Sequence, residues 1–372
     1  MAPPPAPVAV EPEPPPPPRP APEVGTLAEG RAQVAILLPL SGPQEALGRA
    51  MLEAAQMAVL DAGRQGGQIV LVPRDSGGTP ESAAAAARAA IDGGARLILG
   101  PLFSAEVQGA AGPARERNVP VVAFTNDPAV AGSGVYVMGL MPQPQVDRAV
   151  REAAADGRRR FAVLAPSSPW GQFAAQAAEA AVPAAGGSLV GVEFYDPAGA
   201  DAQEAARRLS RSGADAVVLP EGPPRAPSLA AAYAYYESRG ARARFLGTVL
   251  WDDPAMWREP AVYGSWFAAP PPEARTAFME RYAAVVGGAP PRIATLAYDA
   301  AALAVVLARR GAGGDFSADA ITQPNGFAGV EGLFRFRADG LPDRALAVME
   351  IRRGQPPAVV RPAPTSFDDR AS

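Results

Sequence analysis

The feature that most constrains the fold is a unit repeated along the chain. Each copy has a short apolar run, a polar or glycine-containing turn, and a long stretch with apolar residues at helical spacing. The first copy is VAILLPLSGPQEALG, residues 34–48. Residues 34–39 are short and continuously apolar, as expected of a strand buried on both faces of a parallel sheet. Ser41-Gly42-Pro43 makes the turn, and Leu47, Met51, Leu52, Ala55 and Val59 mark one face of a helix over 45–62. Short apolar strands alternating with helices imply right-handed βαβ crossovers.

The same alternation predicts strands over 69–73, 97–99 and 120–124, with helices over 80–92 and 104–118. Thr79 is placed to cap the helix that Pro80 begins. Around Gly139-Leu140-Met141-Pro142 the series restarts. Helices are expected over 143–156, 172–185, 202–212 and 227–239, and strands over 161–165, 188–195, 216–219, 244–247 and 265–268. Further helices are expected over 273–286, 293–310 and 317–322. Residues 332–336 and 345–352 alternate and read as an antiparallel hairpin joined at Asp339-Gly340. A second run built on the plan of the first implies a second lobe, and 372 residues suit two domains.

Residues 1–30 are proline-dense, which favours polyproline II and forms no core. A disordered, semi-rigid spacer is expected there, with an SH3-type ligand as the sharper alternative. Residues 362–372 read as a polar, frayed tail. The leader lacks the basic start and apolar run of a signal peptide, and no window of about 18 apolar residues suggests a membrane span.

Missing residue types narrow the function. With no Cys there is no disulfide, thiolate metal site or Cys nucleophile, and with no His there is no Ser-His-Asp triad or HExxH zinc site. A net charge of −4 provides no basic field for nucleic acid. Every basic residue is Arg, for which a GC-rich genome is the simplest account. The turn PLSGPQEALG does not satisfy GxGxxG, and nothing matches GxxxxGK[ST]. No catalytic residue, metal or cofactor is expected, and the chain reads as a non-enzyme.

Chemistry then concentrates at the strand ends, where open α/β sheets bind ligands. Four turns qualify: Ser41-Gly42, Ser104 with Gly100, Thr125-Asn126-Asp127, and Ser168 with Trp170. Helix N-termini there suit an anion, although each such Ser, Thr or Asp is equally a helix cap. Trp251, Asp252 and Asp253 either line the cleft or form a loop with a cap at Asp253, and Glu221 is a further carboxylate, but no spacing compels a paired acid/base site. Tyr233, Tyr235 and Tyr236 suggest a partly buried helix rather than a stacking platform.

VAILLPLSG, ARLILGPLFSAEVQGAA, VPVVAF, the Trp170-Gly171 pair, LAYDAAALA and GFAGVEGLFRFRADG, in that order, resemble the type I periplasmic binding-protein fold. The resemblance covers about residues 31–361 and implies an α/β architecture of two Rossmann-like lobes with parallel sheets, joined by three crossovers. These are expected near 139–142, 268–272 and 327–331, giving one lobe of 31–141 plus 272–327 and another of 142–271 plus 328–361.

Within that fold, LLPLSGP, RDSGGTPE, LILGPLFSAEV, LGTVLWDD, WFAAP and PNGFAGVEGLFRFR are similar to the penicillin-binding-protein activator family. That likeness implies an envelope lipoprotein regulating peptidoglycan synthesis, with a bifunctional penicillin-binding protein as partner. The alternative is a periplasmic receptor that delivers an amino-acid-like solute to an ABC transporter permease. For branched-chain amino-acid receptors, the likeness puts the ligand carboxylate at Ser104 and Thr125, an aromatic wall at Trp170, and an ammonium-binding acid at Asp252. Asn126-Asp127-Pro128 replaces a small loop, and Asp127 would repel a carboxylate. Ser41 completes the candidate set. Either reading implies the periplasm, with membrane contact only through a lipid anchor, expected at the outer membrane and missing from this sequence.

Overall fold

The computed structural model describes residues 31–63, 69–237, 242–311 and 313–367. The leader over 1–30 and the end of the tail over 368–372 lie outside the described residues. Five strands build the first sheet: β1 (Ala32–Leu38), β2 (Ile69–Asp75), β3 (Ala95–Leu99), β4 (Val121–Ala123) and β5 (Val135–Val137). They run parallel in the order β2-β1-β3-β4-β5. Strand β5 escapes sequence patterning because only three residues pair and all three are buried, which leaves no alternation to read.

The second lobe contributes β6 (Arg160–Pro166), β7 (Ser188–Tyr195), β8 (Ala216–Val218), β9 (Arg244–Gly247) and β10 (Trp266–Ala269). Next come three short strands, β11 (Phe327–Gly329), β12 (Gly332–Phe336) and β13 (Pro342–Arg344), and finally β14 (Ala347–Glu350) and β15 (Ala358–Arg361). The second sheet has the order β15-β14-β10-β9-β8-β6-β7, parallel from β7 to β10 and antiparallel beyond. Each sheet is buried on both faces under helices, with a separate apolar cluster on each side. The expected α/β, two-lobed architecture is what the chain adopts.

Local chemistry accounts for the helix starts. Thr79 caps the helix Pro80–Asp92 through the Ser82 N–H, and Ser82 returns a bond to the Thr79 N–H. Ser168 caps the helix Pro169–Ala184 through the Gly171 N–H. Each lobe also packs a glycine of its first strand–turn–helix unit against the preceding strand end. A Cβ at Gly48 would stand 2.0 Å from the Pro39 carbonyl oxygen, and one at Gly171 2.0 Å from that of Pro166. Only glycine allows that approach.

The chain passes from the first sheet to the second after β5, and back after β10 into the helices Pro272–Val286 and Ala294–Ala308. Its final passage differs from expectation. The hairpin turning at Asp339-Gly340 pairs β12 with β13, whereas Ala347–Glu350 joins the second sheet beside β10. Strands β11 to β13 form their own sheet on the first lobe, where Phe336 packs against Tyr136 and Phe334 against Phe336. The Val137 N–H also donates to the Gly340 carbonyl at 2.8 Å, pinning the turn to the edge of β5. The third crossover therefore follows Arg344 rather than lying at 327–331.

Candidate functional site

The carboxyl ends of the two sheets face a cavity of about 460 Å³. The first lobe supplies the segment after β3 (Leu102 to Ser104), the segment after β4 (Phe124 to Asn126) and the start of the helix Ala294–Ala308. The second lobe supplies Trp170, Val249 and Leu250, and the first crossover adds Gly139 and Leu140. Most of this wall is apolar. A second hollow at the mouth is lined by Ser104, Asn126, Asp127, Pro169, Trp170 and Phe173.

Of the residues singled out in sequence, Ser104, Thr125, Asn126 and Trp170 meet in the cavity. Ser104 Oγ and Thr125 Oγ1 lie 3.0 Å apart, and Thr125 Oγ1 also accepts from the Asp127 N–H at 3.1 Å. One hydroxyl hydrogen of the pair serves their mutual bond, and the other is left for a ligand oxygen. Ser104 opens the helix Ser104–Glu116, whose cap residue Phe103 has no side-chain acceptor. The leading N–H groups of that helix lack intrahelical partners and add positive potential at the cavity wall. The buried Glu106 carboxylate in its first turn, which accepts from the Gly78 N–H at 2.9 Å, offsets this in part. The Trp170 indole donates to the Pro220 carbonyl at 2.9 Å, anchoring the ring to its own lobe.

Three candidates have other duties. Ser41 is exposed, lies outside the cavity lining and donates to Asp75 Oδ2 at 2.6 Å. Burial pushes the Asp75 carboxyl up, but bonds from Ser41 and the backbone N–H groups of Leu40 and Gly77 outweigh it and hold it below the usual carboxylate range. Asp127 sits at the mouth and caps a short turn through the Ala129 N–H at 2.9 Å. Asp252 is only 4% exposed and accepts from both Arg275 and Arg292, the latter at 2.7 Å. Its carboxylate is therefore neutralised rather than offered to the cavity.

The remaining acids and aromatics are also accounted for. Asp253 caps the short helix Pro254–Trp257, and Glu221 accepts from Tyr195 and Arg225. Trp251 is fully buried and donates to the Glu221 carbonyl at 2.8 Å. Tyr233 is buried while Tyr235 and Tyr236 are exposed, as a helix packed on one face requires.

Sequence reading missed Arg292, the only charged residue among those described in the cavity wall. Arg292 bonds Asp252 of the second lobe and Glu331 at 3.0 Å. Burial pulls its guanidinium toward losing the proton, but the Glu331 and Asp252 carboxylates more than reverse this and hold it charged. Forty residues separate Arg292 from Asp252 along the chain, and no local pattern couples them.

Beneath Arg292 lies a buried cluster. Asp299 accepts from the Val330 and Glu331 N–H groups at 2.6 and 3.0 Å, while Glu331 accepts from Thr295 Oγ1 at 2.8 Å. Burial pushes the Asp299 carboxyl up to about 7, against those two N–H donors and nearby Arg344. Between the ordinary aspartate value and about 7, the folded chain then binds more protons than the unfolded chain, so this group's contribution to stability falls as pH rises. The chain has no His to titrate in that window. Urea denaturation of the protein and of Asp299→Asn at several pH values should show their stability difference moving against the parent as pH rises; a difference constant with pH would refute the assignment.

A cleft between two α/β lobes, walled by both and opening at the carboxyl ends of their strands, defines a two-lobed binding protein. The sequence pattern of the family described as "Periplasmic binding protein" matches residues 32–356, and the chain belongs to that family. An uncharacterised protein of Rickettsia prowazekii is 24% identical over 180 residues, covering 48% of this chain and 47% of that protein. The chain thus spans about half the length of that curated relative.

Among solved structures, a protein of Rhodospirillum rubrum assigned to branched-chain amino acid ABC transport superposes with a TM-score of 0.80 at 22% identity. The match covers 89% of this chain and 100% of that one. A solute-binding protein of an ABC transporter from Rhodopseudomonas palustris, in complex with 3,4-dihydroxybenzoic acid, superposes with a TM-score of 0.66 at 16% identity, covering 91% and 98%. At such identities the likeness shows the fold alone.

Proposed function

We propose that the protein is the solute receptor of an ABC transporter, working in the periplasm and delivering a small carboxylate-bearing ligand to a membrane permease. The observation that carries this reading is the cavity of about 460 Å³ walled by both lobes, within the range of small-molecule sites. Ser104, Thr125 and the N-terminus of the helix Ser104–Glu116 receive the carboxylate, and the apolar wall with Trp170 receives the body of the ligand. Hinged closure of the lobes over the ligand presents a closed form to the permease.

Family membership and the structural neighbours favour this receptor reading over the regulator of peptidoglycan synthesis, which finds no support among them. A lipid anchor ahead of the proline-rich leader belongs to the same proposal.

A thermal-shift and calorimetric screen of amino acids, small carboxylic acids and short peptides tests it. A saturable rise in melting temperature with one class is expected, and a flat response to all of them counts against transport. Ser104→Ala combined with Thr125→Val, which removes both hydroxyls of the pair, should weaken binding of the positive ligand by about tenfold or more, the contribution of one hydrogen bond to a charged oxygen. An affinity equal to that of the unmodified protein would remove the pair from the site.

A further inference from the structure

We infer that the cleft selects small monocarboxylates with an apolar body and rejects their α-amino counterparts, with Arg292 as a residue that sets this preference. The inference rests on the receptor reading and names its ligand class. A zwitterionic amino acid needs an acceptor of opposite charge for its ammonium group. Among the described residues, the inner cavity wall holds no carboxylate, and its one charged group is the cation Arg292.

Every nearby acid is committed elsewhere. Glu106, buried in the first turn of the helix Ser104–Glu116, accepts from the Gly78 N–H at 2.9 Å and lies outside the lining. Asp252, on the loop of the second lobe nearest the cavity, is held by Arg275 and Arg292 and is almost fully covered. Glu331 is completely buried between Arg292 and Thr295. Asp127 lines only the outer hollow, where it caps its own turn. Asp299 bonds the backbone beneath Glu331 and lies outside the lining.

An ammonium group placed here would lose its water, meet walls such as Leu102, Phe124, Leu140 and Leu296, and face a guanidinium. An unpaired charge in such surroundings carries a large desolvation penalty. A carboxylate meets the reverse situation: the spare hydroxyl hydrogen of the Ser104–Thr125 pair, the leading N–H groups of a helix, and the Nε–H of Arg292. That Nε–H has no partner among the described residues, although Asp252 and Glu331 hold the other two nitrogens. Replacing the α-ammonium by hydrogen therefore removes the unmatched half of the ligand and keeps the matched half.

Calorimetric titration of the full chain with matched pairs tests this: 4-methylpentanoate against leucine, and 3-phenylpropanoate against phenylalanine. At least one des-amino acid should bind about tenfold or more tightly than its amino acid. An amino acid that binds as tightly as its des-amino partner, or more tightly, overturns the inference while leaving the receptor reading standing. Binding of neither member of either pair overturns the inference, and a blank across the wider solute screen as well would overturn the receptor reading. In Arg292→Gln, which removes the cation and one partner of Asp252, the preference should narrow at least about threefold. An unchanged ratio overturns the role given to Arg292.

Discussion

Replacing Arg344 by Met is expected to lower the stability of the folded chain by about 3–5 kcal/mol, the usual cost of removing one partner from a buried charged network. Arg344 is 2% exposed. Its guanidinium donates to the Glu331 carbonyl at 3.1 Å and to the Met138 carbonyl at 2.7 Å, with the Phe334 ring beneath it. Met fills most of the volume but cannot donate, so two carbonyl groups lose their partners and the field on Asp299 and Glu331 weakens. The two carbonyls lie where the chain leaves the first sheet and beside β12 before its final passage, so the lost bonds also loosen the crossing region. Chemical denaturation near neutral pH measures the loss. A change below about 1 kcal/mol would mean that the cluster relaxes or hydrates on losing its cation, and that Arg344 is dispensable.

Asp252→Ala should open the lobes. Among the described residues, the ion pairs of Asp252 with Arg275 and Arg292 are the only ones that join an element of the second lobe to the first. Both arginines retain some solvent contact, with side chains 19% and 27% exposed, so the effect is smaller than for a fully buried pair. An estimate of about 2 kcal/mol shifts the closed-to-open ratio roughly thirtyfold. Two readouts follow. Small-angle scattering should give a larger radius of gyration with unchanged secondary structure, and ligand affinity should fall as the binding-competent fraction falls. An unchanged radius together with an unchanged affinity would show that the lobes are held by apolar contacts alone.

The two predictions concern residues that differ in how far sequence reveals them. Asp252 stands out in sequence as an acid after a strand, yet its role reverses in the fold. The likeness to amino-acid receptors casts it as a ligand contact, whereas two arginines from the other lobe make it a lobe-to-lobe tie. Arg344 carries no sequence signal at all. It sits at the end of a three-residue strand, and its partners lie 13 and 206 positions away. Ser104, Thr125, Asn126 and Trp170 were legible because each follows a strand, and the ends of parallel strands share one edge of a sheet. Ser41 obeys the same rule but sits beside β2 at the sheet margin, where Asp75 claims its hydroxyl.

What the sequence by itself determined is whatever depends on neighbours within one turn or one strand. The alternation of buried strands with helices, the cap at Thr79 and the lack of any Cys or His all belong there. Tertiary structure alone decided which sheet β12 and β14 joined, where the chain made its final passage, and which charges met across the cleft. The physical reason is range. Backbone periodicity and capping are satisfied locally, whereas sheet membership and ion-pair partners depend on surfaces that come together only when both lobes have folded.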